Sequence, residues 1–376
     1  MIIIVNTTTA FKGGSVQVAL SFLIEFRKFD NFEFHIFVGP GLRDLIEAQD
    51  FPGNFKFYFF EHRPSQRFFT TKPLSVEFEK IEKKIKADFV ITTSGPSYWR
   101  PSCPHIIGYN LPHYVYRDSP FWSIAKISTK LRFYFLKFII RYFYKKDADY
   151  YFVQTDDVRD RLINFINSKN VFTVPNTCGF SKGIGDNDLK FLPRRNKETF
   201  RFLTLSAYYE HKNLEILSLV SKKLESLGIF NVEFILTLSN EAFLKCFNRD
   251  KPSGVINVGP VKPKDCPNLY DECDAIILPT LLECFSANYV EAMFMKKPII
   301  TTDLSFARTV CKDAALYFQP LSVDDATEKI VTFIGNQDLR SRLVERGTAR
   351  LQDFPNAAER ASMIIDIINA LLLKNK

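Results

Sequence analysis

Cysteine is scarce and irregularly placed in this sequence of 376 residues. No two cysteines are spaced as C-x-x-C, and their number is odd; they are Cys103, Cys178, Cys246, Cys266, Cys273, Cys284 and Cys311. This pattern predicts neither a disulfide framework nor a structural zinc site. The sequence also lacks low-complexity tracts and repeats of about 20 to 50 residues, which argues against a solenoid. We expect reduced thiols in a cytoplasmic protein.

Long apolar runs are absent as well. No uninterrupted run approaches the ~18 residues that a membrane-spanning helix needs. The richest candidate, LRFYFLKFIIRYFY from Leu131, is interrupted by Lys137 and Arg141. The first residues, MIIIVNTTTAFKGG, have neither the basic start nor the small-residue cleavage site of a secretory signal, so we expect the mature chain to begin at Met1.

The remaining composition is that of a globular protein with an anionic partner. Apolar residues make up 46% of the chain and charged residues 24%. At roughly 100 to 200 residues per domain, the length predicts two domains. The net charge of +8 favours a negatively charged partner. Nucleic acid, anionic lipid and nucleotide sugar all meet that condition, and composition does not choose among them.

Short β-branched runs alternate with helical patterns along the whole chain, which is typical of an α/β protein with parallel sheets. A first series of strands extends from IIIV near the N-terminus to NVFTVPN near 170, and a second from FRFLTLS at 200 to KPIITTD at 297. The polar residues 181–199 between them predict a linker. We expect two doubly wound domains, 1–185 and 186–355, facing a central cleft that binds the ligand. Residues 356–376 predict an apolar helix, and its return toward the first domain is an option that the sequence does not fix.

An acidic residue within an apolar segment is the most informative feature. Glu291 lies in ANYVEAMFM, on the predicted helical face of Ala287, Val290 and Phe294, and Glu283 lies in the preceding loop. Because burial of an unpaired carboxylate costs roughly several kcal/mol, Glu291 requires hydrogen-bond donors, a shifted pKa or a polar ligand. The competing interpretations are a structural ion pair for Glu291 and a solvent-facing acid for Glu283. Their position beside a helix N-terminus favours a ligand with hydroxyls and phosphate.

The segment LYDECDAIILPTLLECFSANYVEAMFMKKPIITTD resembles the donor half of retaining glycosyltransferases of the GT-B fold, the large glycosyltransferase family 4 (glycosyl transferases group 1). The hallmark of that family is a pair of glutamates with seven residues between them, here Glu283 and Glu291. LTLSAYYEHKNLEIL and VPNTCGF extend the resemblance, which covers most of residues 170–350 and, more loosely, the N-terminal half. It implies two Rossmann-like domains and transfer of a sugar from a nucleoside diphosphate.

The resemblance also implies a role for each residue on the donor side. Glu291 holds the ribose hydroxyls of the nucleotide, and Glu283 is a catalytic residue that contacts sugar hydroxyls near the reacting carbon. Lys212 neutralises the diphosphate leaving group. Backbone N–H groups that bind sugar hydroxyls or phosphate are implied for Cys284, Phe285, Ser286 and Ala287.

One position departs from the family pattern. Five residues before Lys212, the usual arginine is replaced by Ala207. Phosphate binding then depends on Lys212 together with His211 or a basic residue elsewhere. His211 is equally well interpreted as a surface residue at the start of a helix, and Asn213 as a helix cap. The departure keeps open a non-catalytic GT-B subunit that binds nucleotide sugar or a partner transferase.

A glycine pair follows the first strand. Gly13 and Gly14 do not form G-x-G-x-x-G, which argues against a dinucleotide-binding dehydrogenase. A tight turn is the simplest interpretation of the pair. The family has a similar glycine loop at this point, so the resemblance implies that the backbone here approaches a phosphate of the donor.

Other N-terminal loops supply further candidates. By the same resemblance His113, after the strand HIIGYN, is a catalytic-site histidine that touches the donor sugar, and Arg117 follows it in the same loop. An imidazole bonded to backbone and a surface guanidinium are the structural alternatives. Ser94 and Gly95 end another strand and are placed to line an acceptor pocket.

A basic stripe is predicted on a helix near residues 126–145, with Ile127, Leu131 and Phe138 on the other face. Such a helix can lie on an anionic membrane surface, which would suit a lipid-linked acceptor and a peripheral membrane location. The alternative is a solvated basic face on a helix packed against its own domain. The stripe consists of Lys126, Lys130, Lys137, Arg141 and Lys145.

The sequence therefore predicts a metal-independent retaining glycosyltransferase that moves a hexose-type sugar from a UDP- or GDP-linked donor to a hydroxyl of a glycan or lipid-linked acceptor, in bacterial surface polysaccharide or glycoconjugate synthesis. No cofactor is expected, and nucleic acid is not an expected partner. The DND at 186–188 has the spelling of a metal motif but no strand before it. A glycosidase with Glu283 and Glu291 as its two acids is disfavoured by their helical offset.

Overall fold

The computed structural model describes residues 1–11, 13–66, 73–180, 189–196, 198–247 and 252–374. The chain forms two compact units. Unit 1 comprises Met1–Val115, Ile127–Thr177 and Pro355–Lys376, and unit 2 comprises Tyr116–Lys126 and Cys178–Phe354. The boundary predicted at 185 and 186 lies outside the described residues. The assignment of Tyr116–Lys126 to unit 2 differs from the predicted division, because this short segment has no strand or long helix to reveal it.

The thirteen strands are β1 Ile2–Asn6, β2 Glu33–Val38, β3 Phe55–Phe59, β4 Phe89–Thr92, β5 His105–Gly108, β6 Tyr150–Val153, β7 Val171–Thr173, β8 Phe200–Thr204, β9 Val232–Leu236, β10 Val255–Asn257, β11 Ala275–Leu278, β12 Ile299–Thr302 and β13 Ala315–Phe318, counted over the described residues. The α-helices there are α1 Gly14–Phe26, α2 Arg43–Glu47, α3 Leu74–Ile85, α4 Pro112–Val115, α5 Phe121–Ile124, α6 Ile127–Asp147, α7 Asp156–Ile166, α8 Ile216–Ser226, α9 Asn240–Cys246, α10 Cys266–Asp271, α11 Ala287–Phe294, α12 Ser305–Cys311, α13 Val323–Gly335, α14 Gln337–Leu351 and α15 Ala357–Lys374. Three 3₁₀ turns lie at Pro64–Gln66, Glu210–Lys212 and Pro263–Asp265.

Unit 1 contains a parallel sheet in the order β3-β2-β1-β4-β5-β6-β7. Its strands are apolar over most of their length because helices cover both faces of such a sheet. Ile4 of β1 pairs with His35 of β2 on one side and Val90 of β4 on the other. The strand order therefore reverses between β1 and β4, and the loops after these two strands meet at the carboxyl edge.

The C-terminal helix α15 belongs to unit 1 and packs against α1. Ile364, Ile365 and Ile368 are buried in the same core as the β1 and β2 side chains. Arg360 is also buried, with its guanidinium 4.3 Å from the ring centroid of Phe22. The helix thus completes the unit whose strands lie more than 180 residues earlier in the chain.

Unit 2 contains a second parallel sheet, in the order β10-β9-β8-β11-β12-β13. Each of the predicted strands is present, which confirms two doubly wound parallel-sheet α/β domains. The edge strand β13, ALYF, was not predicted, because it is only four residues long and its two middle residues are only partly buried. Within the predicted linker, Leu192 is buried and the backbone N–H groups of Phe191 and Leu192 donate to the Glu272 carboxylate, so this part of it packs onto unit 2.

Among the helices of the described ranges, none combines the length and the hydropathy of a membrane-spanning segment.

Candidate functional site

The sequence-predicted donor residues gather where the strand order of unit 2 reverses. β8 and β11 are neighbours, while β9 and β12 lie on their outer sides. The loops that follow β8 and β11 therefore meet at the carboxyl edge of the sheet, the usual ligand position in doubly wound folds. The β8 loop carries Lys212 and the β11 loop carries Glu283.

Lys212 and Glu283 form an ion pair across these two loops. Their side chains are only 17% and 13% exposed, so the pair is largely shielded from water. The loops are also joined by backbone, since the Leu281 N–H donates to the His211 carbonyl at 2.8 Å. The cost of desolvating a buried ion pair offsets much of the Coulomb attraction between its members. An anionic ligand can therefore compete with the Glu283 carboxylate for the Lys212 ammonium group.

His211 and Asn213 flank the lysine and have structural partners. The His211 ring stacks on Tyr209 with centroids 5.5 Å apart, and Phe121 lies edge-on to it at 6.2 Å. Asn213 adopts a left-handed backbone with φ of 51°. Its side-chain amide donates to the Pro279 carbonyl at 3.5 Å, and the residue at the N-cap of α8 is Glu215. The interpretation of Asn213 as a helix N-cap is therefore wrong, and the residue is instead the C-cap of the 3₁₀ turn Glu210–Lys212.

Glu291 lies on α11 and is half-buried. Its carboxylate accepts a hydrogen bond from the Tyr270 hydroxyl at 3.3 Å. Desolvation raises the pKa of Glu291 to about 7, and the Tyr270 hydrogen bond opposes that rise only in part. In the described portion of the chain no lysine or arginine ion-pairs with this carboxylate, so the structural ion-pair interpretation has no partner there. Gly179 leaves room beside it, since a Cβ at that position would lie 3.3 Å from Oε1.

Helix α11 begins at Ala287, directly after the glutamate loop. Ser286 occupies the N-cap position without a side-chain hydrogen bond to the helix. The Asn288 amide instead ties the first turn to the β8 loop by donating to the Leu205 carbonyl at 2.7 Å. Cys284 is buried, and Phe285 packs edge-on against Phe354. The first N–H groups of a helix have no intrahelical acceptor, so this start is suited to bind an anion or hydroxyl.

The glycine loop of unit 1 lies at that unit's own reversal point. Gly13, with φ of 65°, occupies the N-cap position of α1, a conformation that disfavours a side chain, and Gly14 begins the helix. A Cβ on either glycine would meet no atom within 4 Å. The Thr9 hydroxyl of the same loop donates to the Ser94 carbonyl of the β4 loop. The two loops therefore meet through neutral groups.

His113 lies in α4 of unit 1 and stacks face to face on Phe133, with ring centroids 4.2 Å apart and planes within 1°. Desolvation, with a smaller contribution from Arg132, lowers the pKa of His113 to about 4. The imidazole is therefore neutral near pH 7. Arg117 belongs to unit 2, where its guanidinium lies 4.5 Å from the ring centroid of Trp122.

Three residues beside Glu291 or the Glu283 loop escaped sequence reasoning. Tyr270 and Gly179 contact or border Glu291 from segments distant in sequence. Ser119, from the inserted segment of unit 2, donates to the Leu281 carbonyl at 2.5 Å. Ser119 lies in a short loop with no motif. The segments with Tyr270 and Gly179 carry the family resemblance but do not show that these residues lie beside Glu291, so only the tertiary fold reveals the contacts.

Metal ligands are the remaining question at this site. Over the residues that the structure describes, no group of three or more His, Cys, Asp or Glu side chains could hold a metal ion. The DND at 186–188 lies outside those residues.

Comparison with known proteins agrees with this architecture. Residues 186–350 match the model of the family "Glycosyl transferases group 1". No curated protein is significantly similar to the chain in sequence.

Several solved structures share the fold over nearly the whole chain. Sucrose-phosphate synthase from Thermosynechococcus elongatus matches with a TM-score of 0.73 and 14% identity, covering 100% of both chains. HepE from Anabaena, in complex with UDP-glucose, matches with a TM-score of 0.69 and 13% identity, covering 98% of this chain and 100% of its own. A glycosyltransferase from Rickettsia africae matches with a TM-score of 0.69 and 15% identity, covering 100% and 99%. The protein has the GT-B type of fold, with two parallel-sheet α/β domains.

Proposed function

We propose that the protein is a glycosyltransferase that binds a nucleoside-diphosphate sugar at the carboxyl edge of the unit 2 sheet. The proposal is supported by the family match over residues 186–350, which contains Lys212, Glu283 and Glu291. It is also supported by the fold shared with HepE, whose structure contains UDP-glucose. The donor we propose is therefore a UDP-sugar, with GDP-sugars as the alternative, and the transferred group a hexose-type sugar.

Glu291 carries the argument for a ligand. A half-buried carboxylate with a pKa of about 7 and one phenolic donor is poorly satisfied by its described surroundings. Two adjacent hydroxyls of a ribose supply the donors it lacks, and such hydrogen bonds favour the charged form. Binding of the nucleotide then lowers the pKa of Glu291 and fixes the ribose at the start of α11.

The ion pair of Lys212 and Glu283 provides the complementary chemistry. A diphosphate beside Lys212 competes with the carboxylate for the ammonium group, and Glu283 is then released to accept hydrogen bonds from sugar hydroxyls. We propose a retaining transfer without a metal. The bond from the anomeric carbon to the diphosphate oxygen breaks, the acceptor oxygen bonds to the same face of that carbon, and the acceptor's proton passes to the departing diphosphate. Lys212 stabilises the charge on that leaving group.

The acceptor is proposed to be the hydroxyl of a glycan or lipid-linked sugar in surface polysaccharide or glycoconjugate synthesis. Neutral groups of unit 1 suit such a polyhydroxyl ligand. Ser94 and the Gly13 and Gly14 loop offer hydroxyl and backbone groups, and His113 offers an uncharged ring. A cytoplasmic location at the inner face of the membrane fits this role.

A non-catalytic subunit is the second candidate, and Ala207 favours it. The family's arginine is missing at this exposed position, which leaves Lys212 as the cation that the motif supplies for the diphosphate. Such a subunit would bind nucleotide sugar but would not turn it over.

A thermal-shift titration with UDP, GDP, dTDP and ADP and their sugar conjugates tests the donor site. A ligand present at 100 times its Kd adds about 2.7 kcal/mol of stability, which is readily measured. We expect one nucleotide series to raise the Tm of the wild type and to have no effect on Glu291→Ala. Glu241→Ala, which removes an exposed glutamate of α9, is the matched control and should respond like the wild type.

Turnover separates the two candidates. Release of UDP from the stabilising donor, measured with EDTA present, should occur with the wild type and fall strongly in Glu283→Gln. If the donor binds but neither protein releases nucleotide with any acceptor extract, the non-catalytic subunit is correct. If no nucleotide stabilises the wild type, the donor site itself is wrong.

A further inference from the structure

Helix α6 exposes an unusually large apolar surface. Seven of its large apolar side chains are about half exposed or more. They are Ile127 (76%), Leu131 (53%), Tyr134 (50%), Phe135 (64%), Phe138 (56%), Ile139 (49%) and Tyr142 (57%). At 3.6 residues per turn they lie within an arc of roughly 140° along the whole helix. We call this surface the α6 apolar face. It includes Ile127, Leu131 and Phe138, which the sequence predicts on the apolar face of this helix.

The exposure does not reflect a detached helix. The opposite side of α6 is anchored in unit 1 by Ile140, Phe143 and Tyr144, which are buried. The Tyr144 hydroxyl donates to the Gly108 carbonyl at 3.4 Å, and Phe143 packs on Tyr98 at 4.8 Å. The α6 apolar face is therefore held outward by a fixed helix.

Positive charge borders this face on both sides. Within α6 the basic residues are Lys130, Arg132, Lys137, Arg141, Lys145 and Lys146. The helical repeat puts Lys137 and Arg141 along one border, Arg132 along the other, and Lys145 and Lys146 at the C-terminal end. Asp147 is the one acid in the α6 sequence, and it is buried with its carboxylate accepting from the Ser97 hydroxyl at 3.2 Å. The exposed surface of α6 thus combines aromatic rings with cations alone.

We propose that the α6 apolar face docks the protein onto an anionic phospholipid surface. An amphipathic helix with aromatic and aliphatic side chains on one face and lysine and arginine at its borders lies in the plane of the headgroups. Its tyrosines suit the boundary between acyl chains and water, and the lysine stems extend their ammonium groups to lipid phosphates. The charge excludes a second copy of this helix as the occupant, because two such faces would bring twelve cations together without an exposed acid between them.

The surface is independent of the proposed donor site. All of its residues lie on a helix of unit 1, while Lys212, Glu283 and Glu291 lie in unit 2. Membrane docking can therefore be tested whatever the protein's activity is.

Vesicle flotation of the full-length protein is the direct test. We expect binding to phosphatidylcholine vesicles that contain phosphatidylglycerol, weak binding to pure phosphatidylcholine, and release as salt is raised. The double variant Phe135→Ser and Phe138→Ser should bind at least about tenfold more weakly. Phe230→Ser is the control, since Phe230 is an exposed ring (77%) in unit 2, and it should bind like the wild type.

A second pair of variants tests the charge. Arg132→Gln with Lys145→Gln removes two exposed cations of α6. At about fivefold per charge, the partition coefficient should fall about 25-fold at low ionic strength. Lys80→Gln with Lys84→Gln removes the same charge from exposed positions of α3 and should have a clearly smaller effect. Because all these side chains are exposed, circular dichroism and Tm should be unchanged, which separates lost docking from misfolding.

Two results would overturn the proposal. The first is an absence of flotation with phosphatidylglycerol vesicles at low salt, or flotation that both α6 variants leave unchanged. The second is a dimer, measured by light scattering, that the Phe135→Ser and Phe138→Ser variant dissociates, since the α6 apolar face would then be covered by a second copy.

Discussion

The two sheets reverse their strand order in the same way but provide different chemistry at the reversal. In unit 2 the meeting loops are joined by the ion pair of Lys212 and Glu283. In unit 1 they are joined by the hydroxyl of Thr9 and the carbonyl of Ser94. The same backbone architecture thus joins its loops through an ion pair in unit 2, which we call the charged edge, and through a neutral hydrogen bond in unit 1.

The comparison extends to the titratable groups nearby. Burial raises the pKa of Glu291 in unit 2 to about 7 and lowers the pKa of His113 in unit 1 to about 4. Both pKa shifts favour the neutral form of the side chain. Only the pKa of Glu291 lies near pH 7, where a bound ligand can change the charge of the side chain. This difference is consistent with the proposal that unit 2 binds the nucleotide.

Lys212→Ala should have the largest effect and would break the charged edge. Loss of a preorganised stabiliser of a leaving group lowers kcat by about 10²- to 10³-fold, or roughly 3 to 4 kcal/mol. Turnover of the stabilising donor by initial-rate kinetics gives the measurement. Lys264→Ala, an exposed lysine in the same unit, is the control and should retain full activity. A Lys212→Ala enzyme with normal kcat would remove the lysine from the mechanism.

Glu291→Gln tests the comparison through the pH dependence of stability. The folded protein holds the Glu291 proton more tightly than the unfolded chain, so its free energy of unfolding falls as pH rises from about 4.5 to about 7. The free energy of unfolding of the variant should not depend on pH in this way. Relative to the wild type it should increase by on the order of 2 kcal/mol between about pH 5 and about pH 8. Denaturant unfolding at both pH values measures it. Equal stability differences at the two pH values would mean that Glu291 is already charged and paired in the free protein.

His113→Phe gives the opposite slope in unit 1. The unfolded chain binds the His113 proton more tightly, so wild-type stability is lost as pH falls from about 6.5 to about 4. Phenylalanine at position 113 keeps the ring stack on Phe133. It should raise the free energy of unfolding by about 1 to 2 kcal/mol near pH 4 and leave it unchanged near pH 7. Denaturant unfolding as a function of pH checks this, and His62→Phe, at an exposed position of unit 1, is the control. A wild-type kcat/KM that titrates with His113 between about pH 6 and about pH 8 would contradict a neutral imidazole.

Much of this arrangement is predictable from local sequence. The strands of both sheets are runs of β-branched and aromatic residues bounded by turns. The motif of Glu283 and Glu291 predicts both the loop after β11 and the helix α11 that follows it. β13 is missing from the prediction because a short edge strand buries only part of its side chains. The roles of the donor residues remain predictions.

Contacts between segments that are distant in sequence cannot be predicted from local sequence patterns. Tyr270 beside Glu291, the return of α15 to unit 1, and Tyr116–Lys126 in unit 2 arise from pairings between distant segments. For α6 the sequence left two alternatives open, a helix on a membrane surface and a helix packed against its own domain. Its apolar spacing is that of a buried stripe, and sequence periodicity reports which side chains share a face, not whether that face is covered.

Ser119→Ala should have the smallest effect and tests how the inserted segment supports the charged edge. The hydroxyl donates to the Leu281 carbonyl, next to the loop that carries Glu283. Its loss leaves a buried carbonyl without this donor and should lower the free energy of unfolding by about 1 kcal/mol. Ser123→Ala, an exposed serine of the same segment, is the control for denaturant unfolding. If Ser119→Ala also raises KM for the donor while kcat stays constant, the segment positions the donor loop; an unchanged KM limits its role to stability.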